Sequence, residues 1–152
     1  MNLRKTLVTG LAFTALLLGG CAKSVDYDTF HEAAVKASET THEFTKATVK
    51  YVEKTESSKV EKNATLKYGA DISIITLKVW VADAGDSSVG AVAATYANSK
   101  VDAVGNKEGC EYYTVGEGFK YVDGESTYEY EKHGLLTKAY NSTQTYTITY
   151  SK

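Results

Sequence analysis

Proline is absent from the 152 residues, arginine occurs once, at Arg4, and cysteine twice, at Cys21 and Cys110. Without proline there is no polyproline linker. With its one arginine in the basic start, the rest of the chain lacks the rigid fork that reads phosphate or carboxylate bidentately. His31, His42 and His133 form no pair of zinc spacing, so no metal or other cofactor is expected. Asp83-x-x-Asp86 and Asp26-x-Asp28 do not reproduce a calcium loop and read as turn or cap residues. The formal charge is −2. Setting aside Arg4 and Lys5 leaves −4, which argues against nucleic acid as a partner. Nor is there a membrane-spanning run. The apolar stretch 6–20 reaches only about 22 Å as a helix, against roughly 30 Å of hydrocarbon.

That stretch has another reading. Met1-Asn2-Leu3-Arg4-Lys5 is a short basic start, and the apolar run closes on small residues before Cys21. This is the layout of a signal peptide. Leu18-Gly19-Gly20-Cys21 resembles the lipobox of bacterial prolipoproteins, in which small residues let two enzymes reach the cysteine sulfur. The resemblance implies cleavage after Gly20 and a diacylglyceryl or acyl lipid on Cys21. The protein would then sit on the cell membrane or outer membrane, outside the cytoplasm. Two or more acyl chains anchor a protein stably. The expected organisation is a signal peptide at 1–20, an anchor and short tether at 21–26, and one globular domain at 27–152. With Cys21 lipidated, Cys110 has no intramolecular partner. Glu108 and Glu111 flank it, an arrangement expected to raise its pKa and blunt its reactivity.

Along the domain the hydrophobic period changes three times. Residues 27–39 have Tyr27, Phe30, Ala34 and Ala37 at helical spacing, with Asp28 or Thr29 as cap. From about 44 the period is two. Ala47, Val49 and Tyr51 share one face, and Val60, Ala64, Leu66 and Tyr68 share the core face of the next strand. A third strand, 72–81, carries Ile75, Leu77, Val79 and Val81 together. Residues 87–101 return to helix, with Val89, Val92, Ala93, Tyr96 and Ala97 on one stripe and Asp86, Ser87 or Ser88 as cap. Strands are then expected at 111–115, 119–122, 126–132, 135–140 and 144–151, separated by turns at Asp123-Gly124, His133-Gly134 and Asn141-Ser142. The fold class is α+β with a largely antiparallel sheet.

Gly85-Asp86-Ser87, directly after an apolar strand, resembles the nucleophile block of GDSL-type esterases. That family also carries a C-terminal Asp-x-x-His. The histidine of the C-terminal half here is His133, in Tyr130-Glu131-Lys132-His133, so a helix cap is the expected role of 86–88 and no enzyme activity is expected.

Tyrosine is what the sequence has in abundance: 12 in all, eight of them from Tyr112 to Tyr150. Tyr128 and Tyr130 alternate with Glu129 and Glu131, and Tyr146, Ile148 and Tyr150 alternate with threonines. Such rows serve either as a sheet core or as an apolar wall edged with hydroxyls. On the second reading Tyr128, Tyr130, Tyr146 and Tyr150 are the candidate ligand-binding residues. Charge is uneven: 46–67 has a net +3 and 108–131 a net −6. A basic first hairpin could lie against anionic lipid.

The segments Tyr27-Asp28-Thr29-Phe30, Ala47-Thr48-Val49-Lys50-Tyr51 and Tyr130-Glu131-Lys132-His133-Gly134-Leu135-Leu136-Thr137-Lys138, in this order of elements, are similar to the LolA/LppX-type half-barrel of small lipoproteins and lipoprotein carriers. The resemblance implies a curved sheet, a second helix between strand groups, and a lipid or other apolar ligand; a cystatin-like fold is the alternative. The expected function is a membrane-anchored, non-catalytic binder or carrier of such a ligand at the cell envelope. The alternative is a surface protein-interaction module without a cavity. Oligomeric state is left open.

Overall fold

Chain order in the computed structural model, which describes residues 21–72 and 74–152, begins with a strand, β1 (Ala22–Val25), and helix α1 (Tyr27–Ser38). Three long strands follow, β2 (Lys46–Lys54), β3 (Lys59–Ile72) and β4 (Ile75–Gly85), and then helix α2 (Ser87–Asn98). After a 3₁₀ turn at Val101–Ala103 come β5 (Glu111–Val115), β6 (Gly118–Asp123), β7 (Ser126–Tyr130), β8 (Leu136–Tyr140) and β9 (Gln144–Ser151). The expected leader, 1–20, lies outside the described residues.

The nine strands form one antiparallel sheet in the order β1-β5-β6-β7-β8-β9-β2-β3-β4, curved and unclosed, with both helices on one face. The α+β class and the half-barrel-like architecture are as expected. The first residues are not. Ala22–Val25, read as a tether, pair with β5 from Ala22↔Val115 to Val25↔Tyr112. An open sheet edge offers unpaired backbone groups, and the segment after Cys21 satisfies them. The first described strand therefore starts one residue after Cys21.

Because every neighbour is antiparallel, the turns alternate between two ends of the sheet. At the Cys21 end lie the turn 116–117, the loop 131–135, the start of β2, the end of β9 and the β3–β4 turn. At the far end lie the turns 55–58, 124–125 and 141–143 and the start of α2.

Both helices begin on an aspartate. Asp26, still extended as the chain leaves β1, accepts from Thr29 N at 2.7 Å, so it displaces Asp28 and Thr29 as the cap of α1. Asp86 accepts from Val89 N at 3.0 Å. Phe30 of α1 and Val89, Ala93 and Ala97 of α2 meet Val49, Leu66, Trp80 and Ile148 of the sheet in one buried core. The small residues of α2 bring it close: a Cβ on Gly90 would stand 3.1 Å from that of Ala82. Val92, expected in the stripe, is 38% exposed. The helix stops at Asn98, whose side chain accepts from Trp80 N at 2.7 Å and donates to Trp80 O at 2.9 Å. That amide stands where a further strand would pair with the edge strand β4.

The apolar set expected together on β4 is split by a register shift. Tyr68↔Trp80 is followed by Ala70↔Leu77, which leaves two β4 residues opposite one of β3 and puts Ile75 and Leu77 out of step with Val79 and Val81. Trp80 is 2% exposed in the core, whereas Ile75, Leu77 and Val79 are 60%, 40% and 36% exposed. Register shifts in the β3–β4 pair at Thr65/Leu66 and Tyr68/Ala70 set Trp80 opposite Tyr68. The large Trp80 ring goes inward, and the extra residue interrupts period two between it and Leu77.

Candidate ligand-binding site

One row of register partners crosses the covered face of the sheet: Tyr112↔Tyr121, Tyr121↔Tyr128, Tyr128↔Ala139, Ala139↔Tyr146 and Tyr146↔Tyr51. Six neighbouring strands thus contribute five tyrosines and one alanine. The rings of Tyr121 and Tyr128 stack at 4.7 Å, and those of Tyr51 and Tyr146 sit at 4.8 Å. Over the gap at Ala139 stands Tyr96 of α2, 5.5 Å from Tyr146 and 6.4 Å from Tyr128. The space left there is a cleft of about 40 Å³, and Ser126, Tyr140, Asn141 and Gln144 edge it at the far end of the sheet.

The rim is fixed by hydrogen bonds. Gln144 donates to Tyr51 Oη at 3.1 Å and to Glu53 Oε1 at 3.2 Å, while Tyr51 donates to Glu53 at 3.0 Å. Those donors hold the Glu53 carboxyl below its ordinary range. Asn141 Oδ1 accepts from Thr143 N and Gln144 N, both at 2.9 Å, which shapes the β8–β9 turn. Burial pushes the phenols of Tyr96 and Tyr146 up, and that of Tyr121 to about 12. These three stay neutral at physiological pH. They offer apolar faces and weakly acidic O–H groups, and no charge.

The four tyrosines singled out from the sequence lie on this covered face, but in different places. Tyr128 and Tyr146 line the cleft. Tyr130 is buried beside Tyr121, with ring centres 6.2 Å apart. Tyr150 belongs to a second aromatic cluster at the Cys21 end, where it contacts Phe44 and Trp80 and donates to Leu136 O at 2.6 Å. Burial raises the pKa of both. Tyr96, Tyr51, Tyr121 and the gap at Ala139 were not foreseen. Tyr96 was visible only as a stripe residue, and the row depends on pairings between strands far apart in sequence.

In the second cluster the Glu131 carboxylate accepts from His133 N at 2.6 Å and from Leu135 N at 3.1 Å, and it lies 2.7 Å from His133 Nδ1. His42, 6.3 Å from His133 between ring centres, accepts from Phe44 N through Nδ1. Burial, then the Lys100 ammonium and His133, hold its pKa below the usual value. Ser87 stands at the far end of the sheet, exposed beside its cap Asp86, so it forms no dyad with His133. Cys110 is half-buried. Burial first and Asp123 second raise its pKa, not the two glutamates flanking it in sequence. Lys120, on the outer face, is 4% exposed and lies 4.3 Å over the Tyr113 ring.

Among the described residues no three His, Cys, Asp or Glu side chains come together as a metal group, and no helix is long and apolar enough to cross a membrane. No protein-family model matches this chain, no curated protein matches its sequence, and no solved structure matches it.

Proposed function

We propose that this chain is a bacterial lipoprotein, held at the cell envelope by a lipid on Cys21, that acts there by binding rather than by catalysis. The anchor rests on Leu18-Gly19-Gly20-Cys21 behind a basic start and a short apolar run. Exposed Cys21 precedes the first strand residue, Ala22, with no slack between them. A lipid on that sulfur keeps the adjoining end of the sheet at the bilayer surface.

The observation that carries the binding half is the gap at Ala139 in an otherwise continuous row of tyrosines. Ligand pockets usually enclose at least about 300 Å³, whereas this cleft is about 40 Å³. An acyl chain does not fit inside it. A flat or extended apolar group lying across Tyr96, Tyr128 and Tyr146 does, with the Gln144 and Asn141 amides beside it. The cleft opens at the end of the sheet away from Cys21, so its ligand comes from the aqueous side. The largely filled interior favours a second reading, in which the apolar group is a side chain of a partner protein rather than a free small molecule.

Native mass spectrometry of the lipidated protein extracted from host membranes tests this. The expected result is a bound species released by Ala139→Phe, or a partner protein lost with the same substitution. Retention of every associated species by A139F overturns the assignment of the cleft.

A further inference from the structure

The hairpin of β3 and β4 outruns the rest of the sheet. Lys46, the first residue of β2, pairs with Lys67, yet β3 continues five residues further, through Ile72, before it turns. At about 3.3 Å per residue the ribbon extends roughly 16 Å beyond the start of β2. Its turn residue Ile74 is 99% exposed, and behind it Ile75, Leu77 and Val79 are 60%, 40% and 36% exposed. These side chains serve no core. Isolated exposed apolar residues are ordinary, but four within six residues at a protruding tip form a patch.

In sequence, 72–75 carry no charge; Asp71 immediately precedes them, and Lys67 and Lys78 lie further back on the two strands. Long lysine stems behind an apolar tip let the ammonium groups reach phosphate while the tip goes deeper. The deciding observation is topological. The β3–β4 turn and Cys21 leave the sheet at the same end, although they belong to opposite edge strands.

We propose that the β3–β4 tip, through Ile74, Ile75 and Leu77, inserts into the same bilayer that holds the lipid on Cys21, giving the domain two membrane contacts and a fixed orientation. The inference rests on the anchored reading above. With no tether after Cys21, its end of the sheet lies at the headgroups, a layer of roughly 6 Å on each side. The ribbon is long enough to cross that layer. Two contacts at opposite edges stop the domain from swivelling about its anchor and hold the tyrosine cleft facing away from the membrane.

Two measurements on one sample test the proposal and separate it from the anchor. The processed protein carrying Ile74→Trp, or Glu56→Trp at the far end as control, is reconstituted in phosphatidylcholine vesicles with brominated acyl chains. The mass of the Cys21 peptide is determined in parallel. Neither exposed site disturbs the core, and Trp80 is a constant background. The expected result is a blue shift and loss of the added emission for I74W and none for E56W. A lipidated Cys21 with unquenched I74W overturns the hairpin contact and leaves the anchor standing. A blue shift before vesicles are added shows that protein, not lipid, covers the tip, and overturns it too. Quenching of I74W with an unmodified Cys21 supports the hairpin and removes the anchor.

Discussion

Replacing Asn98 with alanine tests how the sheet's exposed edge is held. The amide makes two hydrogen bonds to the backbone of Trp80, at 2.7 and 2.9 Å, and Trp80 is 2% exposed. A neutral hydrogen bond contributes about 0.5–1.5 kcal/mol net, and a buried backbone group left without a partner costs more. Asn98 itself is exposed, so water replaces part of what is lost. The expected destabilisation is about 2 kcal/mol, roughly 6–10 °C in Tm for a domain of this size. Trp80 is the only tryptophan, so its emission reports the clamp while circular dichroism reports the whole sheet. In urea, N98A should redden Trp80 emission before the dichroism changes. The control is Thr95→Ala on the same helix, which removes one exposed hydroxyl contact to Ala91 O and should move stability by less than about 0.5 kcal/mol. If N98A stays as close to wild type as T95A does, the edge is held by apolar packing and the clamp argument is wrong.

Other perturbations give distinct outcomes. Asp86→Ala removes the cap of α2 and should cost about 1 kcal/mol in urea unfolding, whereas Ser87→Ala should cost nothing measurable. Burial holds the folded pKa of His42 below its usual 6.5. Its contribution is therefore complete above that pH and is lost as pH falls, so the urea midpoint should drop on acidification, and less steeply in His42→Gln. Cys110, half-buried with a raised pKa, should react with a thiol reagent at pH 7 far more slowly in the native protein than in urea. Ala139→Phe fills the tyrosine row next to open space and should cost no more than about 2 kcal/mol by thermal melt, so any loss of ligand reports the cleft rather than unfolding.

What the sequence made legible follows period. Alternation at 47–51 and 64–68 and the helical spacing at 27–37 placed those elements, because each has one covered face, whereas Val60, expected in the same core row, is 38% exposed. Where two faces competed, period was not enough. In β4 a register shift between Leu77 and Trp80 broke the alternation, so Ile75 and Leu77 fell out of step with Val79 and Val81. The strand Ala22–Val25 was invisible because Ala-Lys-Ser-Val has no apolar alternation; it forms to cap an edge. Of the candidate site, Tyr128 and Tyr146 were identifiable as strand tyrosines. Their convergence with Tyr51 and Tyr96 needs the long-range β9–β2 pairing and the seating of α2, which local pattern does not encode.

The claim on which the rest depends is the lipid on Cys21, and mass spectrometry of the amino-terminal peptide from membranes of an expressing bacterium tests it most directly. The account predicts a peptide that begins at Cys21 and carries a diacylglyceryl group, together with an unprocessed precursor when Cys21→Ala is expressed. A peptide that retains residues 1–20 and a free Cys21 thiol would contradict it.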